Sequence, residues 1–183
     1  AVDIGRLVVQ PIGPRANHAA KDHEGREINA GLRGVKRLHA LAWYMFADRQ
    51  LTPVEQRLAA AQLYLVCDQP SEAFLDTVLA AGVQVVQLRM KDSSDAQLME
   101  AARRTARACA AHGALFILND RPDLVRLAGA DGVHVGQDDV PVALARSLVG
   151  EDRIVGLSTH SPAQVDRALE LRVDYIGVGP VHE

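Results

Sequence analysis

The stretch VQVVQLRMK, Val83 to Lys91, decides how the chain is read. Its valines and leucine are residues that a pleated, half-buried strand favours. Yet Gln87, Arg89 and Lys91 fall at every second position, so an extended backbone points all three toward one face. Three donors converging on one strand end suit an anion in a pocket. Arg offers a planar fork and Lys a mobile point charge, a pairing matched to phosphate or diphosphate oxygens. The competing reading is a solvated ion pair from Arg89 or Lys91 to Asp92 or Asp95. Leu88 and Met90, on the opposite face, should look outward into a helix layer and lend the pocket only backbone.

Similar apolar runs recur on both sides of this stretch: LYLVCD, ALFILND, GVHVGQ, RIVGLST and YIGVGPV. Between most of them lie segments of helical period, such as SDAQLMEAARRTARACAAHG and SPAQVDRALELR, the second with Ser161 as N-cap and Pro162 at the first helical position. Strand, helix, strand at this spacing predicts βαβ units and a parallel sheet. The link from LND to GVHVGQ leaves room for only about two helical turns. Upstream, TPVEQRLAAAQ opens a helix, with Thr52 as N-cap, Pro53 at the first turn and Glu55 completing a capping box.

Polar residues close nearly every run: Asp68, Arg89 with Lys91, Asn119 with Asp120, Gln137 with Asp139, and Ser158 with His160. A parallel sheet gathers ligands at the carboxyl ends of its strands, and a barrel does so from all sides. Chemistry on six consecutive strands favours an α/β fold of the (β/α)8 barrel type over a doubly wound sheet. Residues 1 to about 57 lack sustained period and read as loop with one helix near Val35 to Asp48, a separate N-terminal extension before a domain spanning 58–183.

The composition is that of an ordinary globular domain, 48% apolar and 23% charged. A net charge of −3 provides no global field for nucleic acid, so any anion site must be local. Cys67 and Cys109 match no metal-ligand spacing and read as buried free thiols, consistent with a reducing, cytoplasmic setting. No segment approaches the ~20 apolar residues that span a bilayer.

LNDR offers an amide and a carboxylate in Asn119 and Asp120, and HVGQDD offers Gln137, Asp138 and Asp139 after the next strand. Carboxylates on adjacent strands, opposite Arg and Lys on a third, suit a divalent cation shared with a diphosphate. Mg²⁺ commonly takes one or two carboxylates and fills its remaining positions with phosphate oxygens and water. The plainer alternatives make Asp120 and Asp139 helix caps. In GLSTH no acid sits near Ser158 in a triad-like arrangement, so a hydroxyl donor to phosphate is the better reading. His134, among valines, reads as a satisfied interior histidine. The glycines of GVGP could admit a ligand close to the backbone.

QLRMK, LNDR, DGVHVGQDD, GLSTH and DYIGVGP, in this order and spacing, resemble the thiamine-phosphate synthase family over residues 58 to 183. The resemblance implies a (β/α)8 barrel that joins a pyrimidine diphosphate to a thiazole phosphate and releases diphosphate with Mg²⁺. By the same resemblance Gln87, Leu88, Arg89, Met90 and Lys91 form the diphosphate-binding segment and Asn119 adds a contact. Ser158 touches substrate, and Asp120 with Asp139 ligates magnesium. No acid–base or nucleophilic residue is implied. Met90 stands where the family has an acid, and the pattern implies two further strands beyond Glu183, so about six of eight are expected here. Such a sheet should leave its first and last strands with open edges. Small-molecule substrates are the implied partners, and a homo-oligomer is compatible. A thiazole tautomerase relative shares the barrel but generally lacks the metal carboxylates, and a non-catalytic barrel fragment is the reading of different class.

Overall fold

The computed structural model describes residues 8–11 and 51–179. A short strand β1 (Val8–Pro11) precedes helix α1 (Pro53–Ala60), after which strands and helices alternate without exception. They run β2 (Tyr64–Cys67), α2 (Glu72–Ala80), β3 (Val85–Leu88), α3 (Asp95–His112), β4 (Leu115–Asn119) and α4 (Val125–Ala128). The series ends with β5 (Gly132–Val135), α5 (Val142–Val149), β6 (Ile154–Thr159), α6 (Pro162–Leu169) and β7 (Tyr175–Val178). Strands β2 to β7 pair in chain order, each parallel to its neighbour.

Local chemistry sets where the helices begin. The Thr52 hydroxyl accepts from the Glu55 N–H while Glu55 reaches back to the Thr52 N–H at 2.7 Å, the expected reciprocal cap. Ser94 and Gln97 repeat the device at α3, and Ser161 caps α6 ahead of Pro162. Helix α4 is shorter than expected, a single turn, because Gly129 adopts a left-handed conformation (φ 71°) and stops it.

The sheet is strongly curled. Strands β2 and β7 stand five strands apart, which in a flat sheet would separate them by about 24 Å. Their tyrosines nevertheless meet, with the Tyr64 and Tyr175 hydroxyls 2.7 Å apart. The result is a half-barrel of six parallel strands with an inside and an outside. Alternation sorts the side chains: Val86, Leu88, Phe116, Leu118, Val133 and Val155 pack outward against the helices. Val85, Leu115, Ile117, Ile154 and Tyr175 fill the interior, joined by Leu58 of α1. Gly156 makes this packing feasible, since a Cβ there would collide with the ring and hydroxyl of Tyr175.

At the amino-terminal end of the strands, Arg146 of α5 is buried and bonds Asp174 just before β7 at 2.6 Å. The same guanidinium donates to the carbonyls of Gly150, Arg153 and Arg172, tying two loops to one helix. Cys67 and Cys109 are buried free thiols, as expected, and burial pushes both up to about 12.

Two expectations change. Within the stretch read as loop and helix, β1 is a strand, and it pairs antiparallel with β7. The last parallel strand therefore has a partner on its outer side, because an open strand edge recruits any extended backbone that reaches it. The helix expected near Val35 to Asp48 lies outside the described residues, and Arg57, the last residue of the expected extension, falls inside α1.

Candidate functional site

The carboxyl ends of β3 to β6 bring most of the expected residues together. Gln87 is buried on the inner face of β3, and its amide donates to the Asn119 carbonyl oxygen on β4. Its own carbonyl oxygen accepts from the Tyr64 hydroxyl at 3.0 Å. The Tyr64 hydroxyl meets that of Tyr175, which lies 2.8 Å from His134 Nδ1. His134 Nε2 in turn lies 2.8 Å from the Ser158 hydroxyl. Asn119, Gln87, Tyr64, Tyr175, His134 and Ser158 thus form one unbroken hydrogen-bonded chain across the interior.

His134 is the satisfied interior histidine anticipated, and burial pushes it down to about 4, so it is neutral near pH 7. The two tyrosines escaped the sequence reading, although alternation could have found them. Tyr64 and Val66 share a face, and Val66 is in register with Gln87. Tyr175 is in register with Gly156, where a Cβ would collide with its ring.

Past the strands lies the charged mouth. Arg89 and Lys91 are exposed there, just beyond the end of β3. Asp95, one of their conceivable partners, is engaged by Arg121, which also holds Asp123 at 2.8 Å. That arrangement keeps both carboxyls below their usual range through Arg121's hydrogen bonds and leaves Arg89 and Lys91 without ion pairs among the described residues.

Asp120 follows β4 with a left-handed backbone (φ 60°), a conformation that Asp tolerates better than most residues, and its N–H donates to the His134 carbonyl at 2.9 Å. Its carboxyl neighbours that of Asp139. Burial first, then the Asp139 contact and charge, raise Asp120 to about 6, while Arg89 and Lys91 pull the other way. Neither acid caps a helix. Helices α4 and α5 start without a side-chain cap, and Asp139 instead accepts from the Gly136 N–H at 2.7 Å, closing the turn after β5.

Two neighbouring carboxylates repel unless a proton or a cation lies between them, so the chemistry of this pair is compatible with a divalent cation. No cluster of three or more His, Cys, Asp or Glu suited to a metal occurs among the described residues. Leu88 is fully buried in the outer core and Met90 packs against it.

A family model described as thiamine monophosphate synthase matches residues 63–183. The chain belongs to this family. The thiamine-phosphate synthase of Gloeobacter violaceus is 47% identical over 128 residues, covering 69% of this chain and 38% of that protein. The thiamine-phosphate synthase of Acidothermus cellulolyticus is 49% identical over 129 residues, covering 67% of this chain and 61% of that protein. The chain therefore spans less than two thirds of these relatives. A solved thiamine phosphate pyrophosphorylase from Pyrococcus furiosus superposes with a TM-score of 0.62 at 26% identity, over 70% of this chain and 63% of that one. The α/β half-barrel is the family's fold as far as the described residues extend.

Proposed function

We propose that the chain carries the pyrimidine-diphosphate site of a thiamine-phosphate synthase. This transferase condenses 4-amino-2-methyl-5-(diphosphooxymethyl)pyrimidine with a thiazole phosphate, giving thiamine phosphate and diphosphate. The observation that carries the reading is the convergence, at one mouth, of two cations without ion pairs among the described residues, an interior amide pair and two neighbouring carboxyls.

In this reading Gln87, Arg89, Lys91 and Asn119 hold the diphosphate, and the backbone of Leu88 and Met90 carries their alternating side chains. Asp120 and Asp139 would hold Mg²⁺, which supplies positive charge to the departing oxygens. Ser158 lies at the heterocycle's end of the site. As the carbon–oxygen bond to diphosphate breaks, its electron pair leaves with the diphosphate, and the electron-rich aminopyrimidine stabilises the methylene cation. The thiazole nitrogen then attacks that carbon. The protein's share is to position the reactants and stabilise the leaving group's charge, with no nucleophile or acid–base pair.

The curl of the sheet supports an eight-stranded ring, in which the complete barrel would supply the thiazole phosphate contacts. A small-molecule enzyme of this kind, with no helix among the described residues long and apolar enough to cross a membrane, is proposed to work in the cytoplasm.

The test is direct. Purified chain, and a form extended to a complete barrel, are assayed for thiamine phosphate with Mg²⁺ and both substrates. The extended form should turn over, and Asp120→Asn should lower its rate by about 10²-fold or more. An extended form that only isomerises thiazole phosphate would favour the tautomerase reading instead.

A further inference from the structure

The polar chain across the interior has a direction, and that direction follows from counting protons. The Gln87 amide nitrogen donates to Asn119 Oδ1, so the Gln87 oxygen must accept, and it accepts from the Tyr64 hydroxyl. A phenol has one proton, and Tyr64 has spent it. The 2.7 Å contact between the tyrosine hydroxyls therefore carries the Tyr175 proton. Tyr175 has nothing left to give, so His134 Nδ1, 2.8 Å away, must be the protonated nitrogen. A neutral imidazole then has a bare Nε2, and the Ser158 hydroxyl 2.8 Å away donates to it. The reverse tautomer would leave the two tyrosine oxygens in contact with no proton between them.

We infer that Ser158 faces the ligand as a hydrogen-bond acceptor and Asn119 as a donor, with Tyr175 as the positioning residue that imposes this polarity through His134. The two ends of the site then ask for opposite things. At Asn119 the side-chain N–H groups call for an anionic oxygen. At Ser158 the spent hydroxyl calls for an N–H or O–H on the ligand, which replaces the expectation that it donates to phosphate. Resting on the reading above, this assigns the Ser158 end to the exocyclic amino group of the pyrimidine rather than to a phosphate. It also makes the site selective for an amino-substituted ring over its oxo counterpart. Tyr175 is suited to this work, because its ring is fully buried and its hydroxyl touches both Tyr64 and His134.

The tautomer can be read without any substrate. The full chain is labelled with ¹⁵N-histidine, and His134 is assigned by the signal lost in His134→Gln. Long-range proton–nitrogen correlation near neutral pH should show Nδ1 protonated and Nε2 bare. A proton on Nε2 overturns the inference, whatever binds. In Tyr175→Phe the acceptor for Nδ1–H is gone and both tautomers should be populated; an unchanged single tautomer removes Tyr175 from its role. The ligand side is read by calorimetry with Mg²⁺ and inorganic diphosphate present, titrating 4-amino-5-hydroxymethyl-2-methylpyrimidine and its 4-oxo analogue. The amino compound should bind about tenfold or more tightly, the equivalent of one well-placed hydrogen bond. Equal affinity overturns the assignment of Ser158 as acceptor. If His134 carries the expected proton and neither ring binds, the direction of the chain is upheld and the pyrimidine reading falls alone.

Discussion

The carboxyls of Asp120 and Asp139 are neighbours although they arise from successive strand ends, and burial first, then that neighbour, raises Asp120 to about 6. Its folded-state value lies above the ordinary carboxylate value, so between roughly pH 4 and 6 the folded chain binds more protons than the unfolded one. Stability from this group is present at low pH and is lost as pH rises through about 6. Asp120→Asn removes the repulsion and keeps a residue that tolerates a left-handed backbone. Melting curves should show the variant gaining on the order of 2–4 °C near pH 8. Near pH 4 it should gain almost nothing, and a loss at pH 8 would show that the acid pair stabilises the fold.

The same pair should bind Mg²⁺ only when a diphosphate is present, because two carboxylates alone make a poor octahedral site. Titration calorimetry with and without inorganic diphosphate checks this. Affinity should fall as pH drops below about 6, where Asp120 takes up its proton. Tight binding of the metal alone would contradict the shared-ligand reading.

Arg89 and Lys91 are free of ion pairs among the described residues, so their charge is available to a ligand. Arg89→Ala in an active, complete barrel should cost on the order of 10²–10³ in rate. Diphosphate binding should weaken alongside, with little change in melting temperature. A variant that binds and turns over normally would move the anion site elsewhere.

Arg146 and Asp174 form a buried pair in which each offsets the other's charge, while Arg146 also holds three carbonyls and Asp174 the Val155 N–H. Burial raises Asp174 above its usual range, against the pull of Arg146. Arg146→Met leaves that carboxyl unpaired and should cost about 3–5 kcal/mol in urea unfolding. Arg146→Met combined with Asp174→Leu should recover much of the loss, since a packed apolar pair replaces an orphaned charge. A double variant as unstable as the single would show that the carbonyl contacts of Arg146, rather than its charge, hold the loops.

Much of this architecture could be read from the chain itself. Six apolar runs separated by helical segments gave six parallel strands, and Thr52 and Ser161 began helices where their side chains could cap them. The alternation in VQVVQLRMK separated Gln87 inside from Leu88 outside. What stayed hidden depends on contacts between distant positions. Tyr64 and Tyr175 are 111 residues apart and meet only because the sheet curls. The pairing of Val8–Pro11 with β7 uses backbone groups, which carry no side-chain signature. Whether Asp120 caps a helix or faces another acid depends on a left-handed turn that its residue type permits but does not require.

Gly156 and Tyr175 also constrain how this site can change over generations. A methyl group at 156 has nowhere to go while the Tyr175 ring occupies the interior, and a smaller residue at 175 would leave His134 Nδ1 without its partner. Neither position can drift first without loss. The pair is therefore expected to be inherited as a unit, and a lineage that gives up one member should be found to have rebuilt the other together with the histidine's hydrogen bond.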